Sequence, residues 1–126
     1  MAADRTKPEI EFPGDTPPTE LVLDDEIEGD GPEAVPGKTV LAHYVGVAWS
    51  TGEEFDASWN RGEPLSFRLG AGQVIAGWDQ GIQGMKVGGR RRITIPPHLG
   101  YGDRGAGAAI KGGETLIFVV DLVGLT

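Results

Sequence analysis

Several aromatic, aliphatic and polar side chains lie beside predicted loops, where they could together frame a binding hollow. The set comprises Phe55, Asp56, Val74, Ile75, Trp78, Tyr101 and Phe118. For any single member, core packing is the more common explanation. Taken together they predict an apolar concavity whose polar groups are the Asp56 carboxylate, the Tyr101 hydroxyl and a free backbone N–H at a helix start.

The sequence lacks the motifs of covalent or metal-assisted catalysis. It contains no cysteine, which excludes a thiolate nucleophile, a thiolate zinc site and a disulfide framework. None of Ser50, Ser58 and Ser66 lies in a G-x-S-x-G motif. His43 lies inside a predicted strand, where a structural role is expected, and His98 follows two prolines in a loop, where exposure is expected. Two histidines in such different places do not form a metal centre, so we expect neither a metal nor a cofactor.

Glycine-rich segments match phosphate-binding loops only in part. Residues 84–90 have the glycine spacing of a phosphate loop but lack its Lys-Ser/Thr pair. Residues 105–110 lack the third glycine of a dinucleotide fingerprint, and no helical pattern follows them. Glu53 and Glu54 lie in a predicted hairpin, where a solvated turn is expected rather than an acid–base pair. The apolar groups near the loops therefore remain the main candidate for function.

Strands and one helix must position these groups. Strand-like patterns run through residues 21–28, 38–49, 65–69, 91–95 and 115–123. The first carries charge on one face, which is typical of an edge strand. The last is almost unbroken apolar sequence, which predicts a strand that is buried along most of its length.

One segment departs from the strand pattern. Apolar residues recur there at spacings of four, four and three, at Val74, Trp78, Ile82 and Met85. This spacing predicts one face of a short helix. Three glycines interrupt it, each costing up to about 1 kcal/mol relative to alanine, so packing must hold the helix. The predicted fold is α+β, a curved antiparallel β-sheet (half-barrel) wrapped around one short α-helix.

The net charge of −8 belongs to the N-terminal part of the 126-residue chain. Residues 1–37 contain eleven acidic and two basic side chains, whereas residues 38–126 are nearly neutral. Residues 1–18 are acidic and rich in proline, which predicts an N-terminal arm followed by one domain over residues 19–126. Arg90–Arg92 is the one basic run, and we expect its side chains to be solvated on a strand. No nucleic-acid partner is expected, because neither part has a concentrated positive face.

The sequence also bears on membranes and location. No stretch approaches the ~18–20 apolar residues of a transmembrane helix, and no apolar leader follows Met1. We therefore expect no membrane partner and predict a cytoplasmic location. A secreted protein whose leader has been removed would show the same features.

The order of several motifs makes the sequence resemble a known family. The matching segments are Val-Pro-Gly-Lys-Thr-Val at 35–40, His-Tyr-Val-Gly at 43–46, Gly-Glu-Glu-Phe-Asp-Ala-Ser at 52–58, Pro-Leu-Ser-Phe-Arg-Leu-Gly at 64–70, Val-Ile-Ala-Gly-Trp-Asp-Gln-Gly at 74–81, Met-Lys-Val-Gly at 85–88, Ile-Pro-Pro-His-Leu-Gly-Tyr-Gly at 95–102 and Thr-Leu-Ile-Phe at 115–118. In these segments the chain resembles the FKBP-type peptidyl-prolyl cis-trans isomerases, which bind rapamycin-like macrolides. The resemblance covers residues 19–126, which would form the isomerase domain.

The resemblance implies a role for each candidate site residue. Trp78 would form the floor of a proline pocket, and the Ile75 N–H would meet a ligand carbonyl. Asp56 would either orient pocket groups, Tyr101 included, or act through its field on the twisted amide. The residues implied in catalysis are Tyr44, Phe55, Asp56, Tyr101 and Phe118. The residues implied in substrate or ligand binding are Leu65, Phe67, Val74, Ile75, Trp78 and Ile110.

The sequence departs from the family pattern at three places. Leu65 stands where an aromatic residue is common, and Ala106 stands where the flap loop commonly has a histidine. Residues 111–113 read Lys-Gly-Gly in place of a proline pair. These departures bear on macrolide affinity and peptide preference more than on the activity itself.

The resemblance implies an isomerase that rotates Xaa-Pro bonds of polypeptides and so assists protein folding. Macrolide inhibitors would be further ligands, and the protein would act as a monomer. Rotation breaks no covalent bond, so the lack of a nucleophile or metal motif agrees with this function. The alternative is a binding or chaperone module that holds a proline-containing peptide with little turnover.

Overall fold

The computed structural model describes residues 7–10, 16–106 and 110–126. The strands within these ranges form one curved antiparallel sheet, and they are β1 (Val22–Ile27), β2 (Thr39–Ala48), β3 (Glu54–Ala57), β4 (Leu65–Arg68), β5 (Arg90–Ile95) and β6 (Leu116–Leu125). The α-helix, α1 (Ala76–Gly81), lies between β4 and β5 in the chain, and short 3₁₀-helices span Ser58–Arg61 and Pro97–Leu99. The predicted α+β class, a curved antiparallel sheet with one short helix, is confirmed.

The two longest strands lie in the interior of the sheet. The strand order is β1-β5-β6-β2-β3, and β4 also pairs with β2. β2 and β6 are each ten residues long and pair with each other from Val40–Leu125 to Ala48–Leu116. Their β-branched and aromatic residues suit a sheet that is buried on its inner face. β1 lies at the edge, as its charged residues predicted. None of the helices in the described part of the chain is long and apolar enough to cross a membrane.

Glycines allow α1 to pack very close to β5. A Cβ atom on Gly77 would lie 2.6 Å from Cγ2 of Ile95, and one on Gly81 would lie 3.0 Å from Cγ2 of Ile93. Side chains at these positions would push the helix away from the sheet. The close approach of α1 to β5 therefore depends on having glycine, which has no Cβ atom, at both positions.

The helix is shorter than the periodic segment that predicted it. α1 covers only Ala76–Gly81, whereas Val74 and Met85 lie in the loops on either side. Gly84 has a φ of 88°, a left-handed conformation that ends the helical path. The apolar periodicity therefore marked one buried face correctly but extended beyond the hydrogen-bonded helix.

The expectation that the arginine run is solvated is wrong for two of its members. Arg91 is only 9% exposed, and its guanidinium donates to Asp25 Oδ1 at 2.6 Å and to the Gly81 carbonyl at 2.8 Å. The Arg90 Nε donates to Oδ1 of Asp121 at 2.9 Å, and Asp121 is 1% exposed. These carboxylates come from the neighbouring strands β1 and β6, which local sequence around the run does not reveal.

Part of the predicted arm contacts the strand that carries Asp56. Residues 1–6 and 11–15 of the arm lie outside the described residues. The Lys7 Nζ lies 2.7 Å from Glu54 Oε1 and donates to Asn60 Oδ1 at 3.0 Å. The hydrogen bond from Lys7 also lowers the pKa of Glu54. The division into an arm over residues 1–18 and a domain over residues 19–126 stays a prediction.

Candidate functional site

A cavity of about 430 Å³ opens beside the start of α1. Its lining residues are Tyr44, Asp56, Leu65, Gln73, Val74, Ile75, Trp78, Tyr101 and Phe118. Strands β2, β3, β4 and β6 each supply one of these side chains, and the helix with its preceding loop supplies four. The volume falls within the roughly 300–1,000 Å³ of typical ligand pockets.

Three aromatic rings form the most buried part of the lining. Trp78 is 3% exposed, Phe118 4% and Tyr44 5%. The Trp78 ring lies nearly perpendicular to both of the others, with ring centroids 4.9 Å from Tyr44 and 5.2 Å from Phe118. Edge-to-face contacts of this kind are favourable. The cavity therefore has a rigid apolar base centred on Trp78.

One wall of the cavity carries a polar cluster of Tyr44, Asp56 and Arg61. The Tyr44 hydroxyl donates to Oδ2 of Asp56. The Arg61 guanidinium contacts both, with Nη1 donating to Asp56 Oδ1 at 2.7 Å and Nη2 to the Tyr44 hydroxyl oxygen at 2.8 Å. Burial alone would raise the pKa of Asp56, but the hydrogen bonds from Tyr44 and Arg61 outweigh burial and lower that pKa. Burial and the bond to Asp56 raise the pKa of Tyr44. At neutral pH the wall holds an ionised carboxylate and a neutral phenol.

Tyr101 does not belong to that cluster and instead contributes an accessible hydroxyl. Its side chain is 40% exposed and lines the cavity. Asp56 was expected to orient Tyr101, but the side-chain hydrogen bonds of Asp56 join it to Tyr44 and Arg61 instead. The Tyr101 hydroxyl has no hydrogen-bond partner among residues 7–10, 16–106 and 110–126. It is therefore available to a ligand.

The backbone just before α1 adds a donor. The Ile75 carbonyl accepts from the N–H groups of Trp78 at 2.9 Å and Asp79 at 3.2 Å. The Ile75 N–H precedes the helix and has no acceptor in the part of the chain that the structure describes. The first backbone N–H groups of any helix lack an intrahelical acceptor, because no earlier turn of the helix supplies a carbonyl. A free donor thus lies beside the aromatic base of the cavity.

Comparison with known proteins places this arrangement in a family. Residues 31–123 match the family model described as FKBP-type peptidyl-prolyl cis-trans isomerase. The chain belongs to this family. An FK506-binding protein of Streptomyces anulatus is 71% identical over 118 residues, which cover 93% of this chain and 95% of that protein. A probable FK506-binding protein of Corynebacterium glutamicum is 53% identical, covering 93% of this chain and 97% of that protein.

Solved structures of FKBP-type proteins share the fold. The crystal structure of AtFKBP13 gives a TM-score of 0.79 at 45% identity and covers 87% of this chain and 96% of that one. FkpA from Escherichia coli gives a TM-score of 0.77 at 40% identity and covers 86% of this chain and 49% of that one. The predicted resemblance and the predicted enzyme class are confirmed, and the protein is a peptidyl-prolyl cis-trans isomerase.

Three of the expected site residues of this FKBP-type domain do not line the cavity. The half-buried Phe55 packs edge-on against Phe118 with ring centroids 5.5 Å apart. Phe67 is 5% exposed and packs against Trp78 at 5.7 Å. Ile110 is 5% exposed and belongs to the core. The other eight expected residues all lie in the lining, and the roles assigned to all eleven stay predictions.

Two residues at the site were not identified from the sequence. Gln73 lines the cavity and directly precedes Val74, so its place next to a matched motif was the available signal. Arg61 reaches Asp56 because a 3₁₀-helix over Ser58–Arg61 turns the chain back after β3. No pattern in the sequence predicted that turn.

Both histidines lie away from the cavity. The His43 ring stacks on Trp59 with centroids 4.2 Å apart, and its Nδ1 lies 2.9 Å from the Ser58 hydroxyl oxygen. His98 is exposed in the second 3₁₀-helix. Within the described ranges, no three His, Asp or Glu side chains are grouped so that they could hold a metal ion.

Proposed function

We propose that the cavity holds the prolyl residue of a polypeptide while the preceding Xaa-Pro bond rotates. The observation that carries this proposal is the Trp78 indole, which is 3% exposed in a cavity that Ile75 also lines, its N–H having no acceptor within the described ranges. The proline ring would pack on the indole, since both are apolar. A substrate carbonyl would accept from the Ile75 N–H, which would fix one side of the rotating bond.

An apolar cavity favours rotation through the polarity of the amide. Rotation about a peptide bond meets a barrier of about 18–20 kcal/mol because planarity preserves amide resonance. The planar amide is more dipolar than the twisted one, whose nitrogen lone pair is withdrawn from the carbonyl. Removal from water therefore destabilises the planar form relative to the twisted form. A thousandfold acceleration requires only about 4 kcal/mol of such preference.

Asp56 acts in this proposal as a fixed charge that orients Tyr44. Its lowered pKa means that it has no proton to donate at neutral pH, so it is not an acid catalyst. The bonds from Tyr44 and Arg61 hold the carboxylate in one position at the cavity wall. A charge that is already oriented needs no reorganisation when the amide twists.

Macrolides of the rapamycin type are proposed as ligands of the same cavity. The support is the combination of an aromatic base with two donors, the Ile75 N–H and the Tyr101 hydroxyl, that have no partner in the described part of the chain. Leu65 lies in the lining. Having leucine there, where an aromatic residue is common in the family, therefore changes the surface that a macrolide would contact. Ala106 packs against the core, and its backbone pairs with Ile110. We expect competition between rapamycin and peptide, with an affinity set largely by these positions.

A peptide isomerisation assay tests the proposal. Exchange rates of an Ala-Leu-Pro-Phe peptide would be measured by NMR for the wild type, Tyr101→Ala and Val35→Ala. Tyr101 and Val35 are each 40% exposed, but only Tyr101 lines the cavity. We expect Tyr101→Ala to lower kcat/KM about three- to thirtyfold through loss of a ring contact and a hydrogen bond. Val35→Ala should leave kcat/KM unchanged. Equal exchange rates in the wild type and both variants would contradict the assignment of the cavity.

The same assay separates turnover from simple binding. Peptide binding without accelerated exchange in the wild type would favour the alternative, a module that holds proline-containing peptides. Added rapamycin should abolish exchange catalysis if both ligands share the cavity. The monomeric state and the cytoplasmic location stay predictions, to be checked by sedimentation and by cell fractionation.

A further inference from the structure

We infer that the Gln73 side chain is a further substrate-binding group, which donates from its amide nitrogen to a backbone carbonyl of the polypeptide beyond the Xaa-Pro pair. This inference rests on the proposed function, because it requires a polypeptide in the cavity. Gln73 is exposed and lines the cavity next to Val74 and Ile75.

The orientation of the Gln73 amide follows from one hydrogen bond. The Arg68 N–H donates to Oε1 of Gln73 at 2.8 Å. A backbone N–H can bond only to the oxygen of an amide, so the identities of the two amide ends are chemically settled. Nε2 carries two N–H donors, and these have no acceptor within residues 7–10, 16–106 and 110–126. Gln73 is exposed and lines the cavity, so a ligand there can reach its side chain.

The loop that carries Gln73 is fixed by side chains at both ends. Asp79 accepts from the Gly70 N–H at 2.9 Å and from the Gly72 N–H at 3.0 Å. The Arg68–Gln73 bond closes the same loop on the β4 side. A donor that is already oriented loses little conformational freedom when it binds. The Gln73 Nε2 group is thus preorganised for an acceptor at the cavity.

Gln73 and Ile75 lie two residues apart on one loop, and each has a donor without an acceptor among the residues that the structure describes. A polypeptide has a carbonyl at every residue, so a substrate whose first carbonyl accepts from Ile75 offers further carbonyls where the chain continues. A substrate that ends at the prolyl residue lacks most of them. Gln73 therefore favours longer polypeptides over minimal prolyl amides, which is a preference relevant to protein substrates.

The test changes the donor while keeping the acceptor. Gln73→Glu retains an oxygen for the Arg68 N–H but replaces the amide nitrogen with oxygen. Gln80→Glu is the matched control, because Gln80 is an exposed residue of α1 that is absent from the lining. Catalysed exchange is measured by NMR on a long uncharged peptide centred on Ala-Pro and on N-acetylproline methylamide. Equilibrium binding of the long peptide is measured in parallel.

We expect Gln73→Glu to weaken binding and lower kcat/KM about three- to tenfold on the long peptide, mainly through KM, as loss of one hydrogen bond predicts. The minimal amide and the Gln80→Glu variant should show no change. Equal values for Gln73→Glu and wild type on the long peptide would overturn the inference. An equal loss on both substrates would do the same, since it would indicate a general effect on the loop. A wild type without turnover defeats the proposed function, while the binding comparison still decides the role of Gln73.

Discussion

The Tyr44 hydroxyl donates to the Asp56 carboxylate across the neighbouring strands β2 and β3. Asp56 lies opposite Gly46 in the ladder, which makes Tyr44 its diagonal neighbour. A Cβ atom on Gly46 would lie 2.7 Å from ring carbons of both Phe118 and Phe55. Because Gly46 has no side chain, the Phe118 and Phe55 rings can pack beside the Tyr44–Asp56 pair. Sheet pairing thus joins the polar wall of the cavity to its aromatic base.

Tyr44→Phe should weaken the orientation of Asp56. The change removes one of the two side-chain donors that keep the pKa of Asp56 low, so that pKa should rise in an NMR titration. The free energy of unfolding in urea should fall by about 1 kcal/mol, because Asp56 is partly exposed and water replaces part of the lost bond. Tyr101→Phe is the control, because it also removes a phenolic hydroxyl, but one without a hydrogen-bond partner in the described residues. An Asp56 titration that is identical in both variants would contradict the assigned cluster.

The Asp56 charge should persist through mildly acidic conditions. Its folded-state pKa is lowered, so its contribution is complete above the ordinary aspartate pKa of about 3.9. That contribution is lost only as the pH falls through the still lower folded-state pKa. We expect kcat/KM on an uncharged peptide to stay level between pH 8 and about pH 5. An acid limb near pH 6 that disappears in Asp56→Asn would refute this expectation.

His43 should make the fold less stable in mild acid. Burial lowers the pKa of His43, and the nearby charge of Asp121 offsets only part of that effect. The unfolded chain then binds a proton more readily than the folded protein, so stability falls as the pH drops below about 6.5. Urea unfolding at pH 7 and pH 5 should show a smaller difference for His43→Gln than for the wild type. The control His98→Gln alters an exposed histidine and should keep the wild-type difference.

Gly77→Ala should destabilise the protein although alanine is the better helix former. A helix would gain about 1 kcal/mol from the substitution in isolation. Here the new Cβ would lie 2.6 Å from Ile95 and force the helix from the sheet, which typically costs about 1–3 kcal/mol. Gly81→Ala, with its nearest contact at 3.0 Å, should cost less. Urea unfolding measures both, and a stabilised Gly77→Ala variant would show that α1 packs less closely than described.

Local patterns in the sequence predicted much of the secondary structure near the site, but not β3 or the 3₁₀-helix that follows it. Runs of apolar, β-branched and aromatic residues predicted the long strands β2 and β6, and the spacing around Trp78 predicted the helix. The periodic segment was longer than α1, because Val74 and Met85 share the apolar face without joining the helix. Apolar periodicity reports which side of a segment is buried, whereas the hydrogen-bonded length also depends on glycine and on the flanking loops.

Side-chain placement around the cavity could be predicted only in part. The motifs identified Trp78 and Ile75, which the structure brings together in one lining. They also included Phe67, which the structure places against Trp78 within the core. Arg61 was absent from the predicted set because its contact with Asp56 depends on the 3₁₀-helix after β3.

The amino-acid sequence alone determined the fold class through its apolar periodicity, and its motifs carried the family resemblance, since both are properties of residues close together in the chain. Only the tertiary structure decided that Arg90 and Arg91 are held by carboxylates on β6 and β1, and that Gln73 accepts from the Arg68 N–H beside the cavity. These contacts join residues that are distant in sequence or depend on the path of a loop. Their geometry is set by strand pairing and by backbone hydrogen bonds, which no local pattern specifies.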